Sequence, residues 1–379
     1  VSGLRSGSPA RVSPVGLVHD WLTGQRGGEN VLLEIAKLFP AAPIHTLFHF
    51  PGTVDPEIES HPIETSFLQR APGLRPGYRW YLPLYPAAIE DLDVRGHRLL
   101  ISSSHCVAKG ATPGAGAFHV CYCHTPMRYA WDQEEAYFGR GRGPVAWLRR
   151  RVLAGLRRWD VATAGRVHRY LANSSFVADR IRRYYGRDAR VLPPPVDTAF
   201  FTPGPDRPRE HVLVVAALAP YKKVDRAIEA CAMAGLPLVV VGEGPERGRL
   251  ERLAGPGVRF AGRVPPETLR ALYRSAICLL QPGIEDFGIA AVEALACGTP
   301  VAARGLGGVL DIVRDGTEGI LFEGDDRDRI RAAIDKIRGM QSNFVNLRER
   351  AESFSAGRFA QRLREMLVSD WPDAEGFLA

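Results

Sequence analysis

Short apolar runs alternate with segments whose apolar residues fall at helical spacing, and the alternation continues through most of the chain. Residues 15–19 form an apolar run of strand length and lead through a Gly-rich turn into residues 29–39. There apolar residues recur at helical spacing until Pro40 stops the helix. Residues 44–48, 98–102 and 118–122 read as further strands. Residues 147–169 read as a long, basic, amphipathic helix. A strand at 170–174 then runs into a cap, and 175–185 is a helix. Residues 51–97 are Pro/Gly-rich and give no clear period.

The prolines at 193–195 favour extended backbone and break regular structure across 190–197. From residue 211 the alternation restarts. Strands are predicted at 212–216, 237–241, 258–260, 277–281 and 301–303, with helices at 224–234, 246–253 and 266–274. Strands alternating with helices imply parallel sheets wound by right-handed crossovers. The break marks a boundary between two α/β domains, 15–200 and 201–354, followed by a C-terminal helix in 355–379. Residues 1–14 are Ser/Gly/Arg/Pro-rich without an apolar stretch and read as a disordered leader.

Composition agrees with two cores: 379 residues, 45% of them hydrophobic. No apolar run reaches the roughly 18 residues of a membrane span. Six cysteines scattered through strands and helices suggest a reduced, cytoplasmic protein rather than a disulfide framework. The net charge is +7, and arginines bunch at 140, 142, 149, 150, 151, 157, 158 and 166. That cluster is open to three readings: an ordinary solvated surface, peripheral docking on anionic lipid, or nucleic-acid binding. No recognised nucleic-acid module accompanies it, so nucleic acid is not expected as a partner. Cys121, Cys123 and His124 suggest metal ligation, but no second ligand pair stands at matching spacing. Asp91 and Asp93 form a D-x-D with no nucleotide-binding context, and are assigned to a surface turn.

The most specific chemistry lies at 285–300. Glu285 and Glu293 stand eight positions apart, with Phe287 and Gly288 just inside the first and a small-residue helix carrying the second. Ala290, Ala291, Ala294 and Ala296 favour the helix, and Gly298 with Pro300 ends it. A loop entering a helix N-terminus offers free N–H groups and a positive dipole end, which suit phosphate. Carboxylates suit hydroxyls. Hydroxyls on both sides of a phosphate describe a nucleotide-sugar.

This segment resembles the E-x7-E signature of the retaining glycosyltransferases of family 4. The resemblance extends from Val15 to Phe322. The segments around His105 and around His124, Pro126, Arg128 and Trp131 are similar to the branch associated with mannosyl transfer in bacterial surface-polysaccharide assembly. The fold implied is GT-B: two Rossmann-like domains facing a central cleft, with the last helix crossing back to the first. The resemblance implies that Lys222 is the catalytic lysine neutralising the departing diphosphate. Many relatives have an arginine where Ala217 stands, and Lys223 or a basic residue from elsewhere is the candidate replacement. Gly27 and Gly28 face the donor diphosphate, and the backbone of Phe287 and Gly288 binds donor oxygens. Glu293 holds the ribose and Glu285 the transferred sugar, although a nucleophilic role for Glu285 is an alternative. Gly242 and Gly244, with Arg263 and Val264, belong to the base-binding side. His124 meets the sugar from the first domain. His105 and Lys109 line the acceptor cleft, where Arg128, Tyr129, Trp131 and Asp132 could contact a sugar.

The activity expected is hexose transfer, mannose from GDP-mannose, to a lipid-linked or glycan acceptor, with no metal and no cofactor. The alternatives are a UDP-sugar donor or a non-catalytic nucleotide-sugar-binding protein.

Overall fold

The computed structural model describes residues 13–132, 134, 139, 141, 143–205, 208–340 and 344–379. Among these, the strand-like runs assemble into two sheets in which every pairing is parallel. The first contains β1 (Val15–His19), β2 (Ile44–Thr46), β3 (Ile63–Thr65), β4 (Leu99–Ser104), β5 (Phe118–Cys123), β6 (Arg169–Ala172) and β7 (Ala189–Val191). Its order is β3-β2-β1-β4-β5-β6-β7. The second contains β8 (His211–Val215), β9 (Leu238–Val241), β10 (Val258–Gly262), β11 (Ala276–Gln281), β12 (Val301–Arg304) and β13 (Gly319–Phe322), ordered β10-β9-β8-β11-β12-β13. Every residue of β1, β4 and β9 is buried, as expected for parallel strands covered by helices on both faces.

The order of strand addition reverses at equivalent places in the two sheets, between β1 and β4 and between β8 and β11. Ligands of open α/β sheets bind outside the strand C-termini at such switch points. There the first sheet presents Asp20 and His105, and the second presents Ala216 and the loop after Gln281.

The last helix, Ala356–Asp370, returns to the first domain. Phe359, Leu363 and Leu367 share a core with Leu17, Ile101 and Tyr122. A second crossing point lies just before it, where Val196 N–H donates to the Phe354 carbonyl at 2.9 Å.

Three differences from the sequence pattern have local causes. The long basic helix is Pro144–Ala162 and does not reach residue 169. Thr163 turns its hydroxyl back onto the Trp159 carbonyl at 2.9 Å, a short turn Ala164–Arg166 follows, and Arg169 already belongs to β6. Residues 190 and 191 pair in β7, so the irregular stretch begins only at the prolines. Strands β3 and β13, of three and four residues, carry too little pattern to be read locally. Arg140, Arg142 and residues 1–12 of the expected leader lie outside the described residues. No described helix is long and apolar enough to cross a membrane.

Candidate active site

A cleft of about 480 Å³ opens between the two sheets at their switch points, lined by both domains. On the second-domain side, Lys222 ends the short turn Pro220–Lys222 and is buried. Its ammonium is ion-paired with the Glu285 carboxylate. Three glycines allow this placement. A Cβ on Gly283 would lie 2.6 Å from Lys222 Cα, so the 283–288 loop rests directly on the lysine's backbone. Cβ atoms on Gly307 and Gly308 would lie 2.4 Å and 2.2 Å from the carbonyl oxygens of Glu285 and Asp286. Gly288, at φ +109°, turns that loop into the helix Ile289–Ala296, and Phe287 anchors it in the core. The helix N-terminus therefore faces the cleft beside Lys222, with Phe287 and Gly288 among the lining residues.

Glu293 stands on the same helix, one turn beyond Ile289 and Ala290, which do line the cleft. It accepts a hydrogen bond from the Tyr273 hydroxyl at 2.7 Å. Burial pushes its carboxyl up to about 7, against the opposing effect of that hydrogen bond. Glu293 itself is not among the lining residues.

On the first-domain side the organiser is Asp20, which sequence reasoning did not single out. Directly after β1 and fully buried, it accepts the backbone N–H groups of His105, Cys106, Val107 and Ala108 at 2.6–2.9 Å. His105 Nδ1 lies 3.0 Å from its carboxylate. Burial alone would raise the Asp20 pKa, but His105 and its N–H hold it well below the usual carboxylate range. The converse holds for His105. Burial opposes its charged form, yet Asp20 outweighs burial and shifts the imidazole upward. The His105 ring edge meets Trp21, with centroids 4.6 Å apart.

His124 follows β5, and its Nε2 lies 2.8 Å from the Ser103 hydroxyl. Burial, then the neighbouring His105 and His19, push it down to about 3, so the imidazole is neutral. A neutral ring can donate or accept one hydrogen bond to a sugar hydroxyl.

The domains touch at the cleft itself. Arg128 donates from Nε to Asp286 Oδ2 at 2.7 Å, and the Ser174 hydroxyl donates to the Asp286 carbonyl. Ser175 N–H donates to Asp311 Oδ2 at 2.5 Å. A Cβ on Gly27 would meet the Ile289 side chain at 2.8 Å, whereas one on Gly28 would reach His124 at an ordinary 3.8 Å. Both glycines line the cleft, but Gly27 is set by a domain contact.

Several expected site residues sit elsewhere. Lys109 is 1% exposed and points away from the cleft: its ammonium pairs with Asp160 at 2.9 Å and donates to Thr163 Oγ1 at 3.0 Å. Lys223 takes a left-handed conformation at φ +55° and pairs with Asp325 at 3.3 Å. Gly242 and Gly244 are explained by the chain rather than by a ligand. Their Cβ atoms would lie 2.0 Å and 2.4 Å from the carbonyl oxygens of Ala216 and Leu218. Val264 packs on the core and Arg263 is exposed, and neither lines the cleft. Trp131 donates to Asp160 at 2.8 Å and stacks on Tyr184. Asp132 is held by Arg180 and Tyr184, and the Tyr129 hydroxyl lies 2.7 Å from Cys106 Sγ. Arg128 does line the cleft, but its partner belongs to the second domain rather than to an acceptor pocket. Cys121 and Cys123 are buried in a cluster with Tyr170 and Ala172.

Two family models divide the chain at the boundary between the sheets. Residues 25–200 match glycosyltransferase family 4, and residues 196–354 match glycosyl transferases group 1. The chain belongs to this glycosyltransferase family, with the GT-B fold. It is 36% identical to the D-inositol 3-phosphate glycosyltransferase of Acidothermus cellulolyticus, over 47% of each chain. It is 32% identical to the GDP-mannose-dependent alpha-(1-6)-phosphatidylinositol monomannoside mannosyltransferase of Mycolicibacterium smegmatis, over 42% of this chain and 50% of the relative. The chain spans about half the length of the curated relatives it matches. Among solved structures, Anabaena HepE in complex with UDP and glucose superposes with a TM-score of 0.68 at 17% identity, covering 94% of this chain and 100% of that one. Sucrose-phosphate synthase from Thermosynechococcus elongatus superposes with a TM-score of 0.69 at 18% identity, covering 94% and 98%. At such identities the likeness is one of fold.

Proposed function

We propose that the protein is a retaining glycosyltransferase that moves mannose from GDP-mannose to a lipid-linked or glycan acceptor. The observation that carries this reading is the meeting of buried Lys222, its partner Glu285 and the N-terminus of Ile289–Ala296 in one cleft between two parallel sheets. A nucleoside diphosphate leaving group needs preorganised positive charge where its own negative charge develops. Lys222, the helix dipole and the N–H groups around Gly288 supply it without a metal. As the diphosphate takes over Lys222, Glu285 becomes free to accept a hydroxyl of the transferred sugar. His124, neutral and oriented by Ser103, meets that sugar from the first domain. Glu293 takes the ribose hydroxyls as the donor settles along its helix. Mannose and guanine are supported by the likeness to the mannosyltransferase of M. smegmatis. Peripheral contact with an anionic membrane is supported by the helix Pro144–Ala162, where Val145, Trp147 and Leu148 stand exposed beside Arg150 and Arg151.

Calorimetric titration with GDP, UDP and ADP, followed by mass spectrometry of products with and without EDTA, tests the reading. GDP should bind most tightly, and transfer should survive EDTA. A preference for UDP would move the assignment to a UDP-sugar donor. Binding without transfer or hydrolysis would make the protein a nucleotide-sugar-binding module. Loss of turnover in EDTA would overturn the metal-free mechanism.

A further inference from the structure

Lys222 brings one positive charge to a site that, on the reading above, must hold a diphosphate carrying two or more negative ones. Burying such an anion against a single cation leaves charge uncompensated. The end of β8 offers no help, because Ala216 and Ala217 are uncharged. Two further cationic side chains line the cleft, Arg26 and Arg128. Arg26 stands at the N-cap position of the helix Gly27–Leu38, makes no side-chain capping hydrogen bond, and lies within electrostatic reach of His105, on the first-domain side. Arg128 lies against the second domain.

Its placement mirrors that of Lys222. The Arg128 guanidinium stands 5.6 Å from the centroid of the Tyr221 ring, and the Lys222 ammonium stands 5.0 Å from the same centroid. Each cation is held by one of two consecutive carboxylates, Lys222 by Glu285 and Arg128 by Asp286. Glu285 also contributes to the field at Arg128. Two cations and two carboxylates thus gather around one ring at the mouth of a helix N-terminus. A planar guanidinium with several donors suits phosphate oxygens as well as it suits a carboxylate.

We propose that Arg128 is the second cation for the donor diphosphate, carried across the cleft by the first domain. Asp286 is its placeholder, occupying the guanidinium until a phosphate displaces it. The proposal rests on the nucleotide-sugar reading. It also gives domain contact a chemical role, because the complete phosphate site exists only when the first domain meets the 285–288 loop.

The competing account makes Arg128 and Asp286 a simple tie between domains. The two accounts differ in sign. A tie is broken equally by Arg128→Gln and Asp286→Asn, so both variants should weaken nucleotide binding in parallel. Under the proposal, Arg128→Gln removes a phosphate ligand, whereas Asp286→Asn removes that ligand's competitor and a nearby negative charge. The test is calorimetric titration of the full chain and both variants with GDP, GMP, UDP and UMP, with circular dichroism melts as the folding control. Arg128→Gln should lose roughly 10- to 100-fold in diphosphate affinity, the range for one charge-assisted contact, and change monophosphate affinity little. Asp286→Asn should bind the diphosphate as tightly as wild type or more tightly. Arg128→Lys, which keeps the charge but not the fork, should fall between wild type and Arg128→Gln. Parallel losses in Arg128→Gln and Asp286→Asn, or unchanged discrimination between diphosphate and monophosphate in Arg128→Gln, would overturn the proposal and leave the functional reading standing. Failure of the wild type to bind any nucleoside diphosphate would overturn both.

Discussion

Replacing Lys109 by methionine should destabilise the first domain while leaving donor binding nearly unchanged. Lys109 and Asp160 are 1% and 0% exposed, and their charged groups lie 2.9 Å apart. The ammonium also donates to the Asp160 carbonyl at 2.6 Å and to Thr163 Oγ1 at 3.0 Å. Methionine nearly matches the lysine in volume and flexes to fill gaps, so the cavity penalty is small. What remains is a buried carboxylate without its cation. Trp131 and the Tyr185 hydroxyl still donate to it, at 2.8 Å and 2.9 Å, but neither carries charge. Breaking a buried pair in this way costs about 3–5 kcal/mol. For a domain of this size that corresponds to a melting temperature lower by about 6–20 °C. Tryptophan fluorescence is a suitable probe, since the Lys109 ammonium lies 5.5 Å from the centroid of the Trp159 ring. Adding Asp160→Asn removes the orphaned charge and keeps an acceptor for Trp131 and Tyr185, so the double variant should recover part of the loss. Nucleotide affinity below the transition should stay within about twofold of wild type, because Lys109 does not line the cleft. A Lys109→Met protein with wild-type melting and lost transfer would refute the reasoning and return this lysine to the acceptor cleft.

Lys222→Ala should lower turnover roughly 10²- to 10³-fold while the second domain stays folded, and full turnover in that variant would exclude Lys222 from leaving-group stabilisation. With the Glu293 carboxyl raised to about 7, nucleotide affinity should climb with pH and level off above neutrality, by up to about tenfold per unit on the acid side. Titrations of wild type and Glu293→Gln between pH 6 and 8 check this, a flat wild-type profile being the contrary result. His119 is buried as the neutral imidazole, with Nδ1 donating to the Arg166 carbonyl and Nε2 accepting from Ser102, and burial pushes it down to about 3. Its contribution to stability is therefore complete above the unfolded value near 6.5 and is lost as pH falls toward 3, by at most about 1.4 kcal/mol per unit. Denaturant midpoints should fall on acidification, and less steeply in His119→Gln; equal slopes would count against it. Gly283→Ala places a methyl 2.6 Å from Lys222 Cα, against backbone that must shift to admit it, so turnover should collapse and the melting temperature should fall with it, and an active Gly283→Ala with wild-type melting would show that the loop adjusts freely.

The parts of this fold that could be read from sequence are those whose signals are local. The helices Ser175–Tyr185 and Val224–Ala234 carry their whole apolar stripe internally and end at Gly186 and Gly235, both in the left-handed conformation. Lys222, Glu285, Gly288 and His124 are legible through the family resemblance, and their placement fits it. Each follows a strand end, and parallel sheets put such loops on one edge. Lys109 also lies shortly after a strand, and nothing nearby distinguishes it from His105. The difference comes from Asp160, 51 residues away, on a helix that packs beneath it.

Glycine poses the same ambiguity more sharply, because a close approach looks alike in sequence whether the neighbour is a phosphate or another loop. Gly242 and Gly244 read as ligand glycines and serve the chain, lying against the turn after β8. Gly283, Gly307 and Gly308 carried no such reading, yet they set the positions of Lys222, Glu285 and Asp286. Electrostatics is the least local property of all. Asp286 is an ordinary residue beside Glu285 until the fold brings Arg128 to it from 158 positions away. The Arg128–Asp286 pair at the cleft therefore belongs to neither domain alone. It arises where they meet, and a diphosphate can compete for both cations only while that meeting holds.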